Sequence, residues 1–121
     1  MAQTPLTPQR TYAMPGMWVS EYTLQAPLDW TDPDGESLDL FVRELVHPDR
    51  RDADLPLATY LQGGPGGANP RPLTGAGGWL GEALEHYRVV LVDQRGTGRS
   101  TPIEADDVAA RGSGAAGADF L

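Results

Sequence analysis

The hydrophobic positions of the chain fall into a few patterned stretches separated by turn chemistry. The opening, residues 1–16, is polar, carries Pro5, Pro8 and Pro15, and shows no apolar period, so it reads as an extended lead-in. From there Trp18, Ser20, Tyr22, Leu24 and Ala26 alternate with Val19, Glu21, Thr23 and Gln25, the period-two pattern of a half-buried strand. Thr31-Asp32-Pro33-Asp34-Gly35 interrupts it: proline presets φ and glycine accepts a positive φ, as a turn requires. Residues 37–46 then predict a second strand with Leu38, Leu40 and Val42 on one face. The two strands and their turn predict an antiparallel hairpin with a long connection. Residues 47–56 are charged and proline-flanked, a surface loop.

The second half changes period. Residues 57–61 form a short apolar run that stops at a glycine cluster. Over 78–87 the residues Trp79, Leu80, Ala83, Leu84 and Tyr87 fall on one helical face. Residues 88–93 are apolar through the middle and rich in valine, which suits a strand buried on both faces of a parallel sheet. The order strand, glycine-rich loop, helix, strand is one βαβ crossover. After Asp93 the chain turns through residues 94–100. Thr101-Pro102-Ile103-Glu104 then has the form of a capping box with proline at the first helical position, so a short helix is expected to start there. The expected class is α/β, an antiparallel opening hairpin followed by a strand–helix–strand crossover. Residues 109–118 are Ala, Gly, Ser and Arg and cannot build core.

At 121 residues the chain is one domain at most, residues 17–121 following the lead-in. Nine basic residues, all arginine, against seventeen acidic ones give a net charge of −8. That balance argues against nucleic acid and against anionic membrane surfaces as partners, since both need a cationic face. With no cysteine, disulfide scaffolds, thiolate metal sites and thiol catalysis are excluded. No run of about 18 apolar residues marks a membrane span. Met1-Ala2-Gln3-Thr4-Pro5 lacks the pattern of a secretory signal, so the expected compartment is the cytoplasm. The acidic stretch 29–54 lacks calcium-loop spacing, and no metal or organic cofactor is implied.

Two loops carry candidate chemistry. Gln62-Gly63-Gly64-Pro65-Gly66-Gly67 follows the strand at 57–61, and consecutive glycines let backbone amides approach another group closely. A phosphate-binding P-loop requires a lysine, and the chain has none. A dinucleotide fingerprint would have to use Gly75, Gly77 and Gly81, more than ten residues past the strand. An oxyanion loop, offering a backbone N–H to a developing negative charge, and an inert βα turn remain. The second loop, Asp93-Gln94-Arg95-Gly96-Thr97-Gly98-Arg99-Ser100, sits at the carboxyl end of the next strand, where open parallel sheets bind ligands. Two readings are open here: Arg95 and Arg99 pair with carboxylates, Asp93 among them, and brace the loop, or the loop is structural with two satisfied arginines, the preferred reading, with Gly96 and Gly98 at its bends. Ser100 is followed by Thr101-Pro102 rather than the x-Gly of a nucleophile elbow, so it reads as a turn or cap hydroxyl. Ser20, Ser37 and Ser113 lack the elbow pattern too, and His47 and His86 read as solvated imidazoles.

Taken together, Tyr60-Leu61-Gln62-Gly63-Gly64-Pro65-Gly66, Pro70-Arg71-Pro72, Gly78-Trp79-Leu80 and the run from Tyr87 to Pro102 resemble the prolyl aminopeptidases (proline iminopeptidases), most closely their larger bacterial subgroup. Pro27-Leu28-Asp29-Trp30 with Pro33-Asp34-Gly35 fits that group's opening hairpin. The resemblance implies an α/β-hydrolase fold and a serine peptidase that releases N-terminal proline from peptides, with a peptide as its partner. It places Gly63 at the position donating one oxyanion N–H, with Gly64 beside it. Gln62 stands where many relatives have histidine. The family's nucleophile elbow, its Asp and His, and its helical cap lie downstream of these residues. The expectation is therefore an amino-terminal portion of a longer enzyme, inactive alone, of marginal stability and prone to associate through a sheet edge. Other α/β-hydrolases (esterase, epoxide hydrolase, tripeptidyl aminopeptidase) and a non-catalytic hydrolase-like stub are the competing readings.

Overall fold

The computed structural model describes residues 6–61, 67–71 and 75–110. Its centre is a five-stranded mixed sheet. Strands β1 (Arg10–Met14), β2 (Met17–Pro27) and β3 (Ser37–Val46) form an antiparallel meander. A 3₁₀ turn (Pro48–Arg50) leads to the short strand β4 (Leu57–Thr59). Helix α1 (Gly78–Leu84) crosses over to β5 (Arg88–Val92), which lies between β3 and β4, antiparallel to the first and parallel to the second. A short helix α2 (Ala105–Ala110) follows. The strand order β1-β2-β3-β5-β4 is that of an antiparallel hairpin joined to a parallel crossover, a partial α/β arrangement.

Several elements depart from the sequence pattern. Residues 10–14, part of the expected extended lead-in, pair along β2 as an edge strand, with Gly16 (φ +79°) making the two-residue turn with Pro15. In β2 the inward residues of the first half are Met17, Val19 and Glu21, and the set containing Trp18, Ser20 and Tyr22 is only half-buried. In β3 the buried face changes along the strand: Leu38 is buried at its start, Phe41, Arg43 and Leu45 further on, and Leu40 and Val42 are half-buried. The run at 57–61 is a strand only to Thr59, and the helix closes at Leu84. Along β5, Val89 and Leu91 are buried while Val90 and Val92 are half-covered, so one face alone is fully packed. The expected helix start at Thr101 is also displaced. Thr101 spends its hydroxyl on the Asp39 N–H (2.7 Å), and Pro102 bridges to Gly96. The helix begins at Ala105 instead, where the Asp107 carboxylate accepts the Glu104 N–H (2.8 Å), one half of a capping box.

Register divides one sheet face into an apolar row and a charged row. Val19 of β2 faces Leu45 of β3, and Leu45 faces Val89 of β5. With Met17 and Leu91 these residues bury Leu80 and Leu84 of α1. One pleat further, Glu21 faces Arg43, and Arg43 faces Leu91. The Glu21 carboxylate and the Arg43 guanidinium approach to 3.3 Å with side chains only 3% and 4% exposed. A buried pair survives only when its remaining hydrogen-bonding capacity is met. Here Tyr12 Oη donates to Glu21 Oε2 (3.1 Å) and Arg99 Nη1 reaches Oε1 (3.4 Å). Both guanidiniums lie against the Phe41 ring, with Arg99 at 4.1 Å and Arg43 at 4.6 Å from its centroid.

Burial of the Glu21 carboxyl works to raise its pKa, but the Tyr12 hydrogen bond and the Arg99 and Arg43 charges outweigh it and hold the group below its ordinary value of 4.5. A folded-state pKa below the unfolded one means that the unfolded chain binds more protons. The resulting stability is full above about 4.5 and is lost as pH falls through the lowered value. Urea denaturation between pH 7 and pH 3 is expected to show the midpoint falling below pH 4.5, and Glu21→Gln is expected to flatten that fall. At pH 7 the same substitution leaves the Arg43 charge buried without its partner and is expected to cost roughly 3–5 kcal/mol.

Candidate functional site

The site forms where β4 and β5 end, because parallel strands deliver their following loops to the same edge. Asp93, the first residue past β5, is 2% exposed. Its main chain extends the ladder on β3, donating N–H to Phe41 O (3.0 Å). Its carboxylate points across the loops. Oδ1 accepts the Asn69 N–H (3.0 Å), from the segment after the glycine cluster, and Oδ2 accepts the Arg99 N–H (3.0 Å), from its own loop. Two backbone amides on one carboxylate are charge-assisted bonds, about twice the strength of neutral ones.

Loop 94–101 is built around that carboxylate. Thr97 N–H and Thr97 Oγ1 both donate to Gln94 O, at 2.9 and 2.8 Å, and Ser100 N–H donates to Thr97 O at 3.0 Å. Gly98 (φ +52°) lies so close to Asp93 that a Cβ there would stand 2.3 Å from Oδ2 and 2.8 Å from the Ala68 Cβ. Gly96 (φ +79°) leaves the space that Ile103 fills. Ser100, 2% exposed, donates its hydroxyl to Asp93 O (2.6 Å) and accepts the Phe41 N–H (2.9 Å). Both capacities of its oxygen are committed, as expected of a turn hydroxyl. Thr101 continues the same borrowed ladder, exchanging two bonds with Asp39.

Both arginines of the loop are satisfied, though not by the carboxylate nearest to them. Neither Arg95 nor Arg99 pairs with Asp93, whose oxygens are taken by amides. Arg95 instead donates to Pro27 O (2.8 Å) and Leu28 O (2.9 Å), pinning the end of β2. Arg99 extends to Glu21 and covers Phe41. The guanidinium forks reach carbonyls and a distant carboxylate, while each oxygen of the loop's own carboxylate accepts a main-chain amide. His47 Nδ1 accepts the Asp49 N–H (3.1 Å) as the cap of the 3₁₀ turn, and His86 meets Tyr87 edge-on, so neither lies in this cluster. Gly63 and Gly64, the expected oxyanion donors, lie outside the described residues.

Asn69 belongs to the cluster and sequence reasoning missed it. It is 6% exposed, and its Nδ2 donates to Val92 O (2.7 Å) and Tyr60 O (3.3 Å). The signal was the Asn-Pro dipeptide one residue past the glycine run, since Asn side chains bond neighbouring backbone at turns. Nearby, Tyr60 stacks on Trp79 at 5.0 Å, and the flanking Leu61 is 76% exposed. A cavity of about 260 Å³ lies elsewhere, between the β2–β3 connection and α2, bounded by Leu28, Leu38, Arg95, Ile103 and Asp107. Among the described residues no three His, Asp or Glu side chains cluster to hold a metal ion, and no helix is long and apolar enough to cross a membrane.

Most of the chain is similar in sequence to proline iminopeptidases, as its motifs indicated. It is 48% identical over 96 residues to a proline iminopeptidase of Aeromonas sobria, a match covering 78% of this chain and 22% of the relative. It is 42% identical over 106 residues to a proline iminopeptidase of Aspergillus aculeatus, covering 84% of this chain and 23% of the relative. The chain thus spans less than a quarter of the length of the curated relatives it matches. No protein-family model matches it.

The Asp93 cluster makes the two nearby glycines unequal. Gly98→Ala forces a Cβ onto the Asp93 carboxylate at a positive φ and is expected to destabilise by about 2 kcal/mol or more. Gly67→Ala, with nothing among the described residues within 4 Å of its Cβ, is expected to change stability by less than about 0.5 kcal/mol. Urea midpoints of the two variants check this.

Proposed function

We propose that this chain is a portion of a prolyl aminopeptidase-type serine hydrolase, and that its residues supply the oxyanion loop of a site completed by polypeptide beyond them. The similarity to two proline iminopeptidases over most of the chain carries the reading. The antiparallel hairpin feeding a parallel crossover is the opening expected of an α/β-hydrolase, and the glycine cluster follows the first parallel strand, where that fold draws an oxyanion amide.

In this reading a serine outside these residues attacks the carbonyl carbon of the N-terminal proline. The carbonyl π electrons move onto oxygen, and the resulting oxyanion accepts the Gly63 N–H, with Gly64 beside it and a second donor from the residue after the serine. A histidine takes the serine proton and returns it to the leaving amine. Gln62 keeps a polar side chain where many relatives have histidine. Asp93, Gly96, Gly98, Arg95 and Arg99 form the structural loop beside that site. Asp93 holds the chain just past the glycines, and the arginines hold the loop to β2.

The 121-residue chain alone is expected to give no turnover of a proline arylamide, because it holds no nucleophile elbow. Turnover by the pure chain would overturn that expectation. The functional reading is tested by exchanging the matched stretch of the Aeromonas sobria relative for this chain. The folded chimera is expected to release proline from the arylamide. Gly63→Pro, which removes the N–H, is expected to lower kcat by about 10²–10³-fold. A folded chimera without turnover, or one indifferent to Gly63→Pro, would count against the oxyanion assignment.

A further inference from the structure

We propose that the cleft between Arg71 and Trp79 is a subsite for the C-terminal residue of a short peptide, Arg71 taking its carboxylate and Trp79 its apolar side chain. The preference for an apolar carboxylate stands on the cleft alone, and the short peptide as its source rests on the peptidase reading. Strands β4 and β5 are parallel and α1 joins them, so the helix starts at the edge where both strands end. Trp79, in its first turn, therefore lies on the edge that carries the Asp93 cluster. Pro70 and Arg71 follow Asn69, which is tied to Asp93 Oδ1 (3.0 Å) and Val92 O (2.7 Å) on that same edge. Between these two segments lies a cavity of about 160 Å³, with the buried Leu80 and Leu91 as its apolar floor.

Arg71 is the exception among the arginines. Every other described arginine meets a carboxylate, a carbonyl or an aromatic ring. Arg71 is exposed and has no hydrogen bond, ion pair or ring contact among the described residues. Residues 62–66 and 72–74, outside the described set, carry no acidic side chain. A guanidinium offers a planar fork matched to a carboxylate. Trp79 adds an aromatic surface that is 53% exposed and already held by its stack on Tyr60 (centroids 5.0 Å apart), so little side-chain freedom is lost when a ligand covers it. At about 160 Å³ the cavity is smaller than the roughly 300–1,000 Å³ of pockets for drug-sized ligands, and it suits one residue rather than a longer segment. None of the residues lining it is acidic. A free amino acid would bring its ammonium beside Arg71 with no carboxylate to receive it. The last residue of a peptide carries the carboxylate and an uncharged amide nitrogen, which matches the cleft. Where the group removed is an N-terminal proline, such a subsite on the same edge selects peptides of a few residues.

The test is NMR titration of the ¹⁵N-labelled 121-residue chain with N-acetyl-leucine, N-acetyl-leucinamide and free leucine, followed at the Trp79 indole N–H. N-acetyl-leucine is expected to shift that signal with a Kd on the order of 1 mM. The amide and free leucine are expected to bind at least about tenfold more weakly, the size of one charge-assisted hydrogen bond. Arg71→Gln is expected to abolish the preference for acid over amide while the Val89 and Leu91 signals keep their positions. Arg71 is exposed and unpartnered among the described residues, so its replacement leaves the packing intact. Equal binding of acid and amide, a preference that survives Arg71→Gln, or a Trp79 signal unmoved at roughly 50 mM acid would each overturn the carboxylate site. Free leucine binding as tightly as its acetylated form would overturn the C-terminal residue in favour of a free amino acid. If the chain does not hold its fold in solution, the chimera with the Aeromonas sobria relative takes its place under the same criteria. No turnover is read, so failure here leaves the proposed function standing, and an inactive chimera leaves the binding result standing.

Discussion

The carboxylate of Asp93 holds together two loops that the sheet alone leaves apart. Past Val92 the main chain keeps one ladder bond to β3, from Asp93 N–H to Phe41 O, and none to a described residue on the β4 side. One side chain supplies the missing order by accepting an amide from each loop. The rest follows from that requirement. Gly98 must lack a Cβ because the carboxylate occupies its space. Ser100 and Thr101 fall back along β3 and hydrogen-bond the strand that β5 no longer covers. Arg99 is then aimed at Glu21, which ties the loop to the opening hairpin.

The same sheet face does two kinds of work. Toward α1 it is hydrophobic, and burial of Val19, Leu45, Val89, Leu80 and Leu84 supplies a non-directional driving force. Toward loop 94–101 it is ionic, and Glu21 with Arg43, Arg99 and Tyr12 is directional. The ionic row adds less net stability than its contacts suggest, because desolvation offsets them. Its contribution is geometric: a guanidinium held on both a carboxylate and a phenyl face has few alternative positions.

How much of this was legible in the chain follows from range. The hairpin, the crossover and the glycine cluster were readable because turn residues and periodicity are local signals. The inward face of β2 was not. Trp18 and Tyr22 look more apolar than Glu21, yet register places Glu21 opposite Arg43 on the buried face. A charged residue points inward only when a partner does, and that partner lies on another strand. The helix expected at Thr101 failed for the same reason, since a distant Asp39 claimed its hydroxyl. For Asp93 the nearby arginines suggested ion pairs, but main-chain amides compete better when the loop folds tightly around the acid.

The topology also sets an order of assembly. Strands β1, β2 and β3 pair with their sequence neighbours, so their contacts close short loops. Strand β5 joins β3 only after some forty residues of intervening chain, and β4 gains its parallel partner only then. On a ribosome, the meander can form while the segment carrying Asp93 is still being made. Glu21 and Arg43 then meet before Arg99 exists to cover them. A growing chain would therefore carry this ion pair half-solvated for part of its synthesis, and Arg99 would seal it on emerging.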